Sequence, residues 1–89
     1  MEKKEQQYKV VNFIREYRKK LNITQEQIAT KLDVSPTFIN KIENGGKTPS
    51  LTLAFLILEA MKDIYSDDRG LYLELRFDDV FSIAPIQTE

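Results

Sequence analysis

Thr24-Gln25-Glu26-Gln27-Ile28-Ala29-Thr30-Lys31-Leu32-Asp33-Val34-Ser35-Pro36-Thr37-Phe38-Ile39-Asn40-Lys41-Ile42-Glu43-Asn44-Gly45 carries two helix starts and two helix stops in close succession. Thr24 to Gln27 has the form of a capping box, in which the threonine hydroxyl accepts from the Gln27 backbone N–H and the Gln27 side chain reaches back. A short helix follows, with Ile28, Ala29 and Leu32 inward, and stops around Asp33-Val34. Ser35-Pro36 restarts it, with serine as cap and proline at the first helical position. This next helix runs from Pro36 to Asn44 and is closed by Gly45-Gly46. Ile39 and Ile42, with Val34 from the turn, form its buried side. Thr37, Asn40, Lys41 and Asn44 fall at i, i+3, i+4 and i+7 on the opposite side, a continuous polar stripe. A merely solubilising face is more often rich in Glu and Lys, whereas Thr, Asn and Lys reach base edges and phosphates.

On the N-terminal side, Val10, Ile14, Tyr17 and Leu21 make one stripe of an amphipathic helix over residues 8–21, ended by Asn22, which tolerates the left-handed conformation. On the C-terminal side, Thr48-Pro49 signals a fourth helix running to about Lys62 and apolar nearly all round, which requires a second covering surface. Asp63 to Gly70 reads as a polar connection. Leu71 to Phe77 alternates with period two, as a half-buried strand does. Asp78-Asp79 then reads either as a turn, with Val80-Phe81-Ser82-Ile83 returning as a partner strand, or as a short helix over Asp78–Phe81. Residues 84–89 read as a loose tail.

The chain has 89 residues with no His, Cys or Trp, the profile of one small domain of marginal stability. Disulfides, thiolate or histidine catalysis and zinc-finger sites are therefore excluded. The paired acids Asp67/Asp68 and Asp78/Asp79 diverge in either a strand or a helix, so neither forms an acid/base dyad, and no calcium-loop pattern is present. No catalytic residue, metal site or cofactor is expected, and the protein is read as not an enzyme. Residues 1–7 hold no apolar signal segment, and the longest apolar run, Leu53 to Leu58, is far short of the ~20 residues that span a bilayer. A cytoplasmic protein is the expectation. Residues 1–50 carry ten Lys and Arg against six Asp and Glu, a net of +4, whereas residues 51–89 carry three against eight, a net of −5. The first half suits an approach to phosphates and the second does not, although ordinary solvated faces explain the split equally well.

The run from Thr24 to Gly45 resembles the lambda-repressor-like, Cro-type helix-turn-helix transcriptional regulators. Its most specific pieces are the Thr-Gln-x-x-Ile-Ala opening, the x-Val-Ser turn and the Ile-x-x-Ile-Glu-Asn-Gly close, and the likeness extends over roughly Val10 to Lys62. It implies an all-α bundle of four to five helices, with a short C-terminal β-hairpin or dimer arm left open, whose third helix lies in the DNA major groove. It also implies base-edge readers at Thr37, Asn40 and Lys41, with Pro36 at a reading position where it cannot hydrogen-bond. Phosphate contacts are implied at Thr24, Gln25 and Ser35, and at Asn44, Lys47 and Thr48 across the third helix. Arg18 and Glu43 resemble the family's structural ion pair, and Phe38 faces either the sugar-phosphate edge or the core.

Relatives of this compact type end in a pattern similar to Phe77-Asp78-Asp79-Val80-Phe81, which here arrives about a dozen residues late. Residues 1–62 are thus read as the DNA-binding core and residues 63–89 as an acidic extension of the same domain. A dimer interface is expected at Leu71, Leu73, Leu75, Phe77, Val80, Phe81 and Ile83, the competing reading being that these cap the fourth helix within one monomer. The expected function is a sequence-specific regulator of double-stranded DNA, a repressor acting as a homodimer on a pseudo-palindromic operator. The alternative is an antitoxin-type module whose acidic C-terminal segment binds a partner protein while its DNA binding is autoregulatory. No membrane partner is expected.

Overall fold

The computed structural model describes residues 7–86, in the order β1 (Tyr8–Asn12), α1 (Ile14–Leu21), α2 (Gln25–Leu32), α3 (Pro36–Glu43), α4 (Leu51–Arg69), α5 (Phe77–Val80) and β2 (Phe81–Pro85). The core is assembled from the apolar stripes of all five helices. Ile14, Ile28, Ile39, Ile42, Ile57, Met61 and Val80 are each essentially inaccessible to solvent. Tyr17, Leu21, Leu32 and Val34 pack against that cluster from its edge. The expected inward faces of α2 and α3 are therefore the ones observed.

Several boundaries differ from the sequence reading. The first helix begins at Ile14 instead of residue 8, because Tyr8–Asn12 is a strand, antiparallel to Phe81–Pro85 in the register Tyr8↔Pro85 to Asn12↔Phe81. Val10 sits at helical spacing from Ile14, and its strand partner Ile83 lies too far along the chain for any local pattern to reveal it. The strand gives way to α1 at Asn12, whose Oδ1 accepts from the Ile14 N–H at 3.2 Å and whose Nδ2 donates to the Ile42 carbonyl at 2.9 Å. Asn12 thus holds the first N–H of one helix, one residue before its cap Phe13, and ties the strand to another. Asn12→Ala is expected to cost about 1–2 kcal/mol and Asn12→Asp less, since aspartate keeps the acceptor; urea midpoints at unchanged slope measure both.

The fourth helix starts at its cap Ser50, not Thr48, with Ser50 Oγ accepting from the Leu53 N–H at 3.0 Å, and it continues through the expected connection to Arg69. Ala54, Ile57, Leu58, Met61 and Ile64 keep a continuous buried stripe, so periodicity overrides the acidic content of residues 63–68. Gly70 ends the helix in the left-handed region at φ 67°, where its N–H reaches the Ser66 carbonyl.

Leu71 to Arg76 is not a strand but an extended connection. Its alternation reports one-sided burial without pairing: Leu73 is half-buried and Leu75 buried, while Leu71, Tyr72 and Glu74 face outward. Of the two readings of the next segment, the short helix forms, with Asp79 Oδ2 accepting from the Arg76 N–H at 2.9 Å. The returning strand also exists, yet its partner is β1, so the small sheet joins both ends of the described chain. The tail expected over residues 84–89 is contradicted at its start, since Ala84 and Pro85 belong to β2. Residues 87–89 of that tail lie outside the described residues, as do residues 1–6 of the N-terminal segment read for a signal. α5 and β2 supply part of the cover that the apolar α4 requires: Phe77 stacks on Phe55 at 4.4 Å and on Phe81 at 4.9 Å between ring centroids. No helix among the described residues is long and apolar enough to cross a membrane.

Candidate nucleic-acid interface

α2 and α3 are set by their local caps. Thr24 Oγ1 accepts from the Gln27 N–H at 3.0 Å and Gln27 Oε1 accepts from the Thr24 N–H at 2.9 Å, the reciprocal box expected from the sequence. Asp33 turns the chain in the left-handed region at φ 59°. Ser35 Oγ then accepts from the Phe38 N–H at 3.1 Å, with Pro36 at the first position of α3. Both hydroxyls are therefore engaged in holding helix ends. α3 stops at Asn44, and the reversal that follows uses Gly45 at φ 81°, a conformation that side chains with a Cβ disfavour.

With Ile39 and Ile42 sealed in the core, the opposite face of α3 presents Pro36, Thr37, Asn40, Lys41 and Asn44, all exposed. Lys47 and Thr48 follow on the exposed loop, Lys47 Nζ lying 5.9 Å from the centre of the half-buried Phe38 ring.

Glu43 anchors this face from behind, and its side chain is fully buried. Arg18 grips it with two bonds, Nε to Oε2 at 2.8 Å and Nη2 to Oε1 at 3.1 Å, and adds Nη1 to the Ile23 carbonyl at 3.2 Å. The carboxylate also receives Arg15 Nε at 3.2 Å and Gln25 Nε2 at 3.0 Å, both on Oε1. Burial alone would raise the Glu43 carboxyl. The donors Arg18, Gln25 and Arg15, together with the positive charge of Arg18, outweigh that and hold it below its usual value. The Arg18–Glu43 contact expected from the resemblance is thus present, as the centre of a larger network.

Arg15 was missed by sequence reasoning. Besides Glu43 it binds Asn44, Nη2 donating to Oδ1. The signal was its spacing of three from Arg18 on one helix, which places both guanidinium groups on the same face. Arg15, Lys19, Gln25 and Asn40 line one open groove of about 450 Å³ with Arg18, Thr24, Glu26 and Pro36, between α1 and the starts of α2 and α3. A second groove of about 370 Å³ runs between β1 and the end of α3, lined by Lys9, Asn12, Asn44 and Thr48 among others. Lys9, Arg15, Arg18 and Lys19 thus lie in grooves beside α3, whereas Lys31 pairs with Asp67 of α4 at 3.5 Å.

The residues expected at a dimer interface are divided. Leu75, Val80 and Phe81 are buried within the chain, and Leu73 and Phe77 are half-buried against the core. Leu71 and Ile83 are exposed at 58% and 66%. Ile83 meets Val10, Leu51, Phe77 and Phe81 around an apolar groove of about 310 Å³.

A family model described as helix-turn-helix matches residues 14–65, more than half of the chain and starting at the first residue of α1. The chain belongs to that helix-turn-helix family. It is 40% identical over 55 residues, 62% of this chain and 80% of the relative, to an uncharacterized HTH-type transcriptional regulator of Methanothermobacter thermautotrophicus. It is 44% identical over 63 residues, 64% of this chain and 96% of the relative, to another such protein of Methanocaldococcus jannaschii. No solved structure matches. Within this helix-turn-helix chain the matched region ends inside α4, so the sheet and α5 lie outside the part that defines the family.

Proposed function

We propose that the protein is a sequence-specific DNA-binding transcriptional regulator, a repressor that occupies a pseudo-palindromic operator as a homodimer. The observation that carries this reading is the exposed stripe Thr37, Asn40, Lys41 and Asn44 on a helix whose other side is locked into the core and whose last turn is anchored through Glu43. α3 enters the major groove, where Thr37, Asn40 and Lys41 face base edges and Pro36 supplies an apolar contact. The starts of α2 and α3, held by Thr24 and Ser35, turn backbone N–H groups toward phosphate beside Gln25. Asn44, Lys47 and Thr48 hold the backbone on the other side of the groove. Both relatives are named as HTH-type transcriptional regulators, which supports the same reading.

The dimer forms through the exposed apolar side chains of the acidic C-terminal half, with Ile83 and the groove it shares with Val10 and Leu51 at the centre. The net of −5 there keeps this half away from DNA while the net of +4 over residues 1–50 faces it.

Affinity selection of source-genome fragments by the purified protein at two salt concentrations tests the reading. A short pseudo-palindrome that survives the higher salt is the expected result, and sequence-blind binding lost at higher salt overturns it. On the selected site, Lys41→Ala is expected to relax preference at one position by about 1–3 kcal/mol. Lys47→Ala is expected to weaken all sequences alike and to lower the salt slope by about one. Identical behaviour of the two variants would remove the division between reading and clamping.

A further inference from the structure

The network behind α3 has a direction that chemistry imposes. A carboxylate only accepts, so the Gln25 amide must turn its NH2 group to Glu43 Oε1, which it meets at 3.0 Å. That NH2 carries a second N–H, which reaches Asn40 Oδ1 at 3.1 Å. Asn40 therefore gives its oxygen to Gln25, and no hydrogen bond among the described residues engages its own NH2 group. Arg15 repeats the pattern, because a guanidinium only donates. It reaches Glu43 Oε1 with Nε at 3.2 Å and Asn44 Oδ1 with Nη2, so Asn44 also has its oxygen turned inward and its NH2 unengaged among the described residues. Both asparagines on the exposed face of α3 are thus polarised the same way by one buried acid.

We infer that Gln25 and Arg15 are positioning residues that set the polarity of this face, so that Asn40 offers a donor to the base edge before it and Asn44 offers a donor to a phosphate. The inference rests on the reading of α3 as the DNA-facing helix and adds a base preference to it. An unconstrained asparagine pairs with adenine through both its amide atoms, whereas one whose oxygen is already held favours a base that shows acceptors. Guanine shows two, N7 and O6, in the major groove, and cytosine shows only its N4 donor. The position read by Asn40 should select guanine and reject cytosine. The three donors on Glu43 keep it ionised at neutral pH, so the relay retains its direction there.

The test compares the wild-type protein with Gln25→Ala and Gln25→Lys on every single-base variant of the selected half-site, with thermal denaturation confirming that each is folded. Wild type is expected to prefer guanine over cytosine at one position by about tenfold. Gln25→Ala frees the Asn40 amide to rotate by half a turn, and that ratio should fall to about threefold or less while the other positions keep theirs. Gln25→Lys donates to both Glu43 and Asn40 and should restore the ratio, even as its charge strengthens binding to all sequences. A ratio unchanged in Gln25→Ala, a ratio not restored in folded Gln25→Lys, or a wild-type preference for cytosine overturns the inference.

A readout without DNA separates this from the underlying reading. In side-chain amide NMR of the free protein, the Gln25 NH2 protons should exchange with water more slowly than those of Asn40, and the reverse order overturns the relay. If the wild-type protein selects no sequence, the DNA-facing reading falls and the base preference with it. The amide exchange still decides whether Gln25 sets the polarity of Asn40.

Discussion

Glu43→Ala is expected to destabilise the protein by about 3–5 kcal/mol, the range for removing one member of a buried ion pair, and chemical denaturation of the two proteins measures it. The wild-type loss of solvent at the Glu43 side chain is complete, and Arg18, at 13% exposure, is nearly as enclosed. Deleting the carboxylate strands the Arg18 guanidinium without its counter-charge, while Arg15, at 41% exposure, is free to swing out to water. A domain of this size has about 5–10 kcal/mol in total, so the variant should lose a large fraction of its stability. The effect falls on stability before it falls on DNA preference. An intact denaturation midpoint accompanied by altered preference would contradict this order.

The same residue gives the fold an acid limb. The Glu43 carboxyl lies below its ordinary value of 4.5 in the folded protein. Between the folded and unfolded values the unfolded chain therefore binds more protons, and stability rises with pH across that window. The contribution is fully present above the unfolded carboxylate range and is lost as pH falls through the folded value. Glu43→Gln should flatten this part of the stability profile, and an unchanged acid limb would place the responsible carboxylate elsewhere.

Ile42→Ala carries the second large effect, expected at about 3 kcal/mol within the 2–5 kcal/mol found for such truncations. Ile42 is wholly buried, and its carbonyl accepts from Asn12, so a cavity here lies between the sheet and the inner side of α3. Ile42→Val removes one methylene and should cost only about 0.5–1.5 kcal/mol. Urea unfolding of the pair gives the stabilities. Binding by Ile42→Ala is expected to fall with its folded fraction while the relative preference among bases survives, since no reading side chain is touched. A change in preference of the folded fraction would mean that the cavity has tilted α3.

The helix-turn-helix unit was legible because its signals are local. Thr24 with Gln27, and Ser35 with Pro36, state their caps within four residues, and the two isoleucines of α3 oppose the polar stripe whatever surrounds them. The family resemblance added the Arg18–Glu43 contact, which spacing alone does not contain. What escaped was long-range. The helical spacing of Val10 from Ile14 is equally compatible with a strand, and only the distant Phe81–Pro85 segment decides between them. The alternation of Leu71 to Phe77 reported the burial of Leu73, Leu75 and Phe77 correctly but not that of Leu71, which is exposed, and a strand also needs a partner for its backbone, which no other described segment offers there. The acids of residues 63–68 looked like a connection because composition was weighed above the continuing stripe through Met61 and Ile64. The Gln25–Asn40 and Arg15–Asn44 bonds join side chains of different helices, so no window along the sequence holds both partners.

The pairing of β1 with β2 also fixes how the molecule responds to a pull. The Gln7 carbonyl accepts from the Ile86 N–H at 2.8 Å, and Tyr8 lies opposite Pro85, so Gln7 and Ile86 sit side by side at one corner. Tension between Gln7 and Ile86 loads the rungs of the ladder singly, from their own hydrogen bond inward, as a zipper opens, instead of shearing all of them together. The sheet should part at low force, and the tug would reach Asn12, and through it the inner side of α3, before any helix is disturbed.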